Sequence, residues 1–190
     1  MTEFAGVYQD ILLNGVPVHT GRDCQSRLDM ILPHVAENSR VLDVGSHSGY
    51  FAIELARQKG CHVDSFESEA WLADIQRWAI ERNCVGDLVN LRGAFTPDAV
   101  AGQHYDVVLL LSVLQYFPTD FLLEMVRVGD RTIIEFPTPE ETDALYHVRI
   151  VELSPFDTYL RTLFSHVELI GEPDAPYMAG VKRGMWLCER

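Results

Sequence analysis

Lysine is nearly absent from this sequence. Of 15 basic residues only Lys59 and Lys182 are lysines, against 28 acidic residues, for a formal net charge of −13. Proteins that grip nucleic acid carry a basic stripe, because phosphate contacts supply most of their affinity. No such stripe exists here, and an anionic membrane surface would repel the chain, so neither partner is expected to bind directly. Long apolar runs are also missing: the longest, Val107 to Leu111, has five residues, far below the roughly 18 needed to span a bilayer. The opening Met-Thr-Glu-Phe-Ala-Gly has neither the basic region nor the apolar core of a secretory signal. Cysteine is scarce, with Cys24, Cys61, Cys84 and Cys188 far apart and no Cys-x-x-Cys pair. These absences predict a cytoplasmic location and reduced core cysteines rather than a disulfide set or a metal cage. The seven histidines are scattered singly, so no metal is expected.

What is present is an ordinary globular composition, 47% hydrophobic and 23% charged over 190 residues, the size of one domain. Residues 1–21 mix Gly, Pro, Tyr and His without periodicity and read as an irregular arm or lid. From residue 22 to 190 the pattern is regular and predicts a single domain. Leu28, Ile31, Leu32 and Val35 recur at helical spacing, and Val41 to Val44 reads as a buried strand. A helix over 49–59 stops at Gly60, and a strand from Cys61 ends at Glu67. Trp71, Leu72, Ile75, Trp78 and Ala79 line one face of the next helix. Strands follow at Leu88–Leu91, Tyr105–Leu111 and Arg131–Phe136, with a short helix at Asp120–Val128 before the last. Such alternation predicts an α/β fold with a doubly wound, mostly parallel sheet. The tail breaks the rhythm: after a helix at Phe156–Phe164, the strands His166–Ile170 and Met185–Cys188 have no helix between them. That favours an antiparallel C-terminal hairpin and brings the total to seven strands.

The most informative stretch is Val41-Leu42-Asp43-Val44-Gly45-Ser46-His47-Ser48-Gly49-Tyr50-Phe51, a buried strand entering a helix through a loop bracketed by glycines. Gly45 lets the backbone turn sharply, and Gly49 lets the helix start close to the sheet. The helix N-terminus offers N–H groups to a polar ligand. Asp43 can accept hydrogen bonds from loop N–H groups or from a ligand ammonium. Glu67, at the end of the following strand, stands where an acid can take both hydroxyls of a ribose, or it caps the helix that follows.

Asp43 to Phe51 resembles the first motif of the class I S-adenosylmethionine-dependent methyltransferases. Tyr105-Asp106-Val107-Val108-Leu109-Leu110-Leu111-Ser112-Val113-Leu114-Gln115-Tyr116-Phe117 is similar to their fourth-strand motif, and the Val167–Leu169 and Trp186–Cys188 pair fits their terminal hairpin. The resemblance spans roughly residues 25–190. It implies a Rossmann-like methyltransferase fold binding S-adenosylmethionine, with S-adenosylhomocysteine (SAH) as product, and transfer of a methyl group to a small-molecule acceptor. Position by position it places Asp43, Gly45, Ser46, His47 and Gly49 along the methionine part of the cofactor. It puts Glu67 at the ribose, Ala94 and Phe95 beside the adenine, and Ser112 and Leu114 near the sulfonium. Three positions depart from the family pattern: His47 stands where many members have glycine, Ala94 where many have an acid, and Gln115 where small-molecule branches have histidine.

Methyl transfer from a sulfonium is an in-line displacement on an activated carbon, so positioning dominates and a base is needed only when the acceptor must lose a proton. Ligands of open parallel sheets sit beyond the carboxyl ends of the strands, where the candidates are Gln115, Tyr116 and Glu135, with Thr138 beside the last. Burial would raise the pKa of Glu135, whereas Tyr116 reads as core packing beside Phe117. His147 in the insertion 139–153, and Tyr8 and His19 in the arm, could overhang an acceptor. The chain lacks the Asp/Asn-Pro-Pro-aromatic run of amino-methylating enzymes, the Pro-Cys pair of cytosine C5 enzymes, and the Gly-x-Gly-x-x-Gly and Tyr-x-x-x-Lys signatures of nicotinamide dehydrogenases. Two alternatives stay open: methylation of tRNA or protein through a partner, and a non-catalytic binding module of the same fold.

Overall fold

A computed structural model describes residues 4, 6–118, 120–136, 156–175 and 180–190. Thr138, the insertion 139–153 and its His147 therefore lie outside the described residues. The chain divides into two compact units, residues 1–99 and 100–190. Seven of its strands make up one mostly parallel sheet that ends in an antiparallel C-terminal pair, with helices between the parallel strands, as the sequence pattern predicts.

In the first unit the parallel strands β3 (Arg40–Val44), β4 (His62–Phe66) and β5 (Val89–Arg92) lie in the order β5-β4-β3. Helices α1 (Cys24–Ile31), α2 (Tyr50–Lys59) and α3 (Ala70–Arg82) accompany them. Helix α2 ends where predicted: Gly60 takes φ +66° and its N–H returns to Ala56, the left-handed stop that glycine adopts without a Cβ penalty. Strand β3 is buried from Val41 onward, which explains its continuous apolar character.

Two readings of this unit are corrected. Residues 11–19 are not irregular. Strands β1 (Ile11–Leu13) and β2 (Val16–His19) form an antiparallel hairpin, and its turn, Asn14-Gly15, has φ of +51° and +80°. Asn-Gly is the strongest short hairpin signal, and it was present in the sequence. The buried face of α3 is also rotated from the predicted one. Leu72, Gln76, Ala79 and Ile80 are buried, whereas Trp71 is 45% exposed. Apolar periodicity failed because one of the inward residues, Gln76, is polar.

In the second unit β6 (Tyr105–Leu111) and β7 (Gly129–Phe136) are parallel, and β9 (Gly184–Glu189) joins β7 antiparallel, followed by β8 (His166–Gly171). Helices α4 (Phe121–Val128) and α5 (Phe156–Leu163) belong to this unit. Val107 to Leu111 are all buried, as expected for a strand covered on both faces. Cys24, Cys61 and Cys188 are buried and Cys84 is exposed.

Candidate functional site

In the first unit most of the candidate residues gather at the turn from β3 to α2. Gly45, His47 and Gly49 take φ of +73°, +56° and +84°. Gly45 and Ser46 both donate their N–H groups to the Phe66 carbonyl at 2.9 Å, which ties the loop to the end of β4. The His47 N–H donates to Glu67 Oε2 and the Glu69 N–H to Glu67 Oε1, each at 2.8 Å. Glu67 thus ties the loop to the segment that leads into α3, and each oxygen keeps a lone pair for a ligand.

A wholly buried polar chain lies behind the loop. The Ser46 hydroxyl donates to Gln76 Oε1 at 2.9 Å, and Gln76 Nε2 donates to the Ser65 hydroxyl at 2.6 Å. A Cβ on residue 49 would stand 2.5 Å from Gln76 Cγ. Glycine is therefore required at 49 by α3 packing against the loop as well as by its positive φ. The arm supplies the front of the loop. Gln9 Oε1 accepts from the Tyr50 N–H at 3.3 Å and from the Ser48 hydroxyl at 3.1 Å, so one of the helix N–H groups read as open to a ligand is capped from within the chain. The Tyr8 ring packs on His47 with centroids 4.1 Å apart, whereas His19 turns away, its Nε2 2.8 Å from the Val7 carbonyl oxygen.

Electrostatics single out Asp43. It is buried at the end of β3, and its Oδ2 has no hydrogen-bond partner. Burial, reinforced by the Glu67 carboxylate and opposed by the Arg27 guanidinium, pushes its pKa up to about 7. Arg27 is itself 2% exposed and stacks over Phe51 at 4.8 Å. Burial pushes His47 down to about 4, so its imidazole is neutral near pH 7. Phe95 lies against Phe66 with centroids 5.1 Å apart, and Ala94 is exposed.

In the second unit the carboxyl ends of β6 and β7 bring Ser112, Gln115 and Glu135 together. The Ser112 N–H donates to the Glu135 carbonyl at 2.8 Å, and Gln115 Nε2 donates to the Ser112 carbonyl at 2.7 Å. Glu135 is fully buried, with Oε1 3.4 Å from Arg183 Nη1, a counter-charge that the sequence reading missed. Leu114 is half-buried, and Tyr116, expected in the core, is 67% exposed. Among the described residues no group of three or more His, Cys, Asp or Glu side chains could hold a metal ion, and no helix is long and apolar enough to cross a membrane.

The Methyltransf_23 family model, described as a methyltransferase domain, matches residues 18–167. The chain belongs to this methyltransferase-domain family. Several solved structures share the domain's fold. The bifunctional kinase-methyltransferase WbdD superposes with a TM-score of 0.78 at 23% identity, over 98% of this chain and 44% of that one. The N-terminal domain of EvdMO1, crystallised in the presence of SAH and D-fucose, gives 0.71 at 17% identity, covering 97% and 91%. The precorrin-6y C5,15-methyltransferase of Geobacter metallireducens GS-15 gives 0.64 at 12% identity, covering 87% and 88%. This methyltransferase domain spans less than half the length of the WbdD chains it matches. No curated protein matches its sequence significantly.

Proposed function

We propose that the protein is an S-adenosylmethionine-dependent methyltransferase acting on a small-molecule acceptor. The observation that carries this reading is Asp43: a buried carboxyl at the end of β3, one oxygen without a partner, beside a loop whose left-handed turns are fixed by Glu67 and Gln76. Unpaired buried acceptors are costly, roughly 1–3 kcal/mol, and a cationic ammonium would satisfy this one. The residues present therefore fit the cofactor. Asp43 would take its ammonium, the remaining lone pairs of Glu67 its ribose hydroxyls, and Phe95 one face of its adenine. Gly45, Ser46, His47 and Gly49 would line its amino-acid part, while Ser112 and Leu114 would lie near the sulfur. The exposed Ala94 would contribute only its backbone. SAH bound to EvdMO1 supports the same class of cofactor.

The cofactor, when bound, supplies a methyl group already activated for in-line displacement. The protein's part is then to orient it and exclude water, an effect that can contribute roughly 7–11 kcal/mol. Gln115, Tyr116 and Glu135 remain the candidates nearest the acceptor. Glu135 faces Arg183, which favours a charge-holding role over proton transfer, and no metal is needed. In this reading residues 22–190 form the catalytic domain, residues 1–21 strap its loop, and the enzyme is cytoplasmic. A chain of net charge −13 suits a neutral or cationic acceptor, as does the D-fucose present with the EvdMO1 domain.

Isothermal calorimetry with SAH tests the reading. Wild type binds, while Asp43→Asn and Glu67→Gln each bind at least tenfold more weakly with circular dichroism unchanged; NADH does not bind. Equal SAH affinity in all three proteins would reject the site.

A further inference from the structure

Ser112 is the one non-glycine residue described in the second unit with a left-handed backbone, φ +62°. L-residues avoid this region, and strain of this kind persists where the surroundings over-determine it, most often at functional sites. Here three bonds hold it. Its N–H is taken by the Glu135 carbonyl, its Oγ lies 2.5 Å from Arg183 Nη1, and its carbonyl accepts from Gln115 Nε2. Arg183 is 1% exposed and reaches this point from just before β9, where its own N–H donates to the Pro173 carbonyl at 2.8 Å.

The consequence falls on Gln115. A carbonyl can only accept, so the atom facing Ser112 must be the amide nitrogen, and the carboxamide oxygen is thereby fixed in place. That oxygen is buried and has no hydrogen-bond partner in a residue 5% exposed. Nearly all buried polar atoms are paired, so such an atom calls for a missing donor. A carboxamide does not take up a proton near neutral pH, which leaves recognition as its chemistry.

We propose that Gln115 determines specificity, its fixed carboxamide oxygen accepting a hydrogen bond from an O–H or N–H group of a bound small ligand. Arg183 and Glu135 act as positioning residues that hold Ser112 and, through it, the carboxamide. The ligand class is thus hydroxyl- or amine-bearing, and a ligand presenting only acceptors at this point is disfavoured. The inference rests on the methyltransferase reading, which offers two sources of the donor: a hydroxyl of the methyl acceptor or the amine of the cofactor.

Gln115→Met keeps the length and removes the acceptor. Calorimetry with SAH and with 5′-methylthioadenosine, which lacks the amino-acid part, is combined with saturation-transfer NMR of D-fucose on SAH-loaded protein. Wild type is expected to bind D-fucose, and Gln115→Met to lose it at least tenfold, about 1.4 kcal/mol, with SAH affinity kept. A tenfold loss of SAH with 5′-methylthioadenosine unchanged supports the same hydrogen bond and assigns the donor to the cofactor amine. Because breaking a buried ion pair can unfold a protein whereas removing both partners is tolerated, the positioning role is read from Arg183→Met/Glu135→Leu, expected to reproduce the Gln115→Met loss, and from Arg183→Lys, expected to restore binding. Binding of SAH and D-fucose that is identical in wild type and Gln115→Met, or D-fucose unbound with SAH unaffected, overturns the proposal. A wild type that fails to bind SAH removes the methyltransferase reading itself, and this inference with it.

Discussion

Gly49 shows how two constraints meet on one residue. Its φ of +84° costs an L-residue roughly 1–2 kcal/mol, and the contact of a Cβ with Gln76 adds to that. Gly49→Ala should therefore destabilise the protein by more than about 2 kcal/mol. In a Gln76→Ala background the penalty should fall toward the backbone share alone, because close neighbours couple. Urea unfolding of the four proteins in this cycle checks the coupling, and additive effects would mean the Gln76 contact carries nothing. The glycine itself was legible in the sequence; the glutamine that makes it necessary was not. Glu67 stands similarly. Its place at a strand end was readable, whereas its two bonds to the His47 and Glu69 N–H groups required the folded loop. At Glu135 the apolar flanks suggested a lone buried acid, and Arg183 supplies the partner they could not reveal.

Among elements, the N-terminal arm differs most from its sequence reading. Lacking helical or strand periodicity, it read as a lid, yet it is pinned at several points. Gln9 caps α2, Asp10 accepts from the Gly21 and Cys24 N–H groups at 2.7 and 3.0 Å, and Asn83, just after α3, donates to the Leu12 carbonyl while accepting from the Asn14 N–H. These bonds satisfy backbone groups of the hairpin, of the starts of α1 and α2 and of the segment that leads into α1. Gln9→Ala should leave the Tyr50 N–H without its acceptor and lower stability by about 1–2 kcal/mol. Hydrogen exchange should accelerate in the first turn of α2 and remain unchanged in β6. Uniform protection across both would show that the arm is not a cap. The boundaries of α2, β6 and the C-terminal hairpin, by contrast, follow from Gly60, from an unbroken apolar run and from the absence of a helix-length connection. All of these are local signals.

For the whole molecule, the buried Asp43 carboxyl ties stability to pH. Unfolded, Asp43 titrates near 3.8; folded, it titrates near 7. Between those values the native state holds a proton that the unfolded chain has released, so stability falls as pH rises from about 4 to about 7 and levels off above. Asp43→Asn removes this dependence. Relative to wild type, the variant should gain stability on going from pH 5 to pH 8, by an amount on the order of a few kcal/mol. Urea midpoints at the two pH values measure it, and a constant difference would place the carboxyl in a better solvated setting. His47 works in the opposite direction over much of the same range: its depressed value makes its own contribution to stability fall as pH drops from about 6.5 toward 4.

By itself the sequence determined the alternation of strands and helices, the glycine-bracketed turn at the first crossover and the antiparallel end of the sheet. Periodicity and turn chemistry act over a few residues and leave a mark in every window. Tertiary structure alone decided which polar side chains brace the turns of each unit. Gln76 meets Ser46 across 30 positions, Gln9 meets Tyr50 across 41 and Arg183 meets Ser112 across 71. A buried hydrogen bond needs only that two groups arrive at the same place, and chain separation leaves no local trace of that meeting.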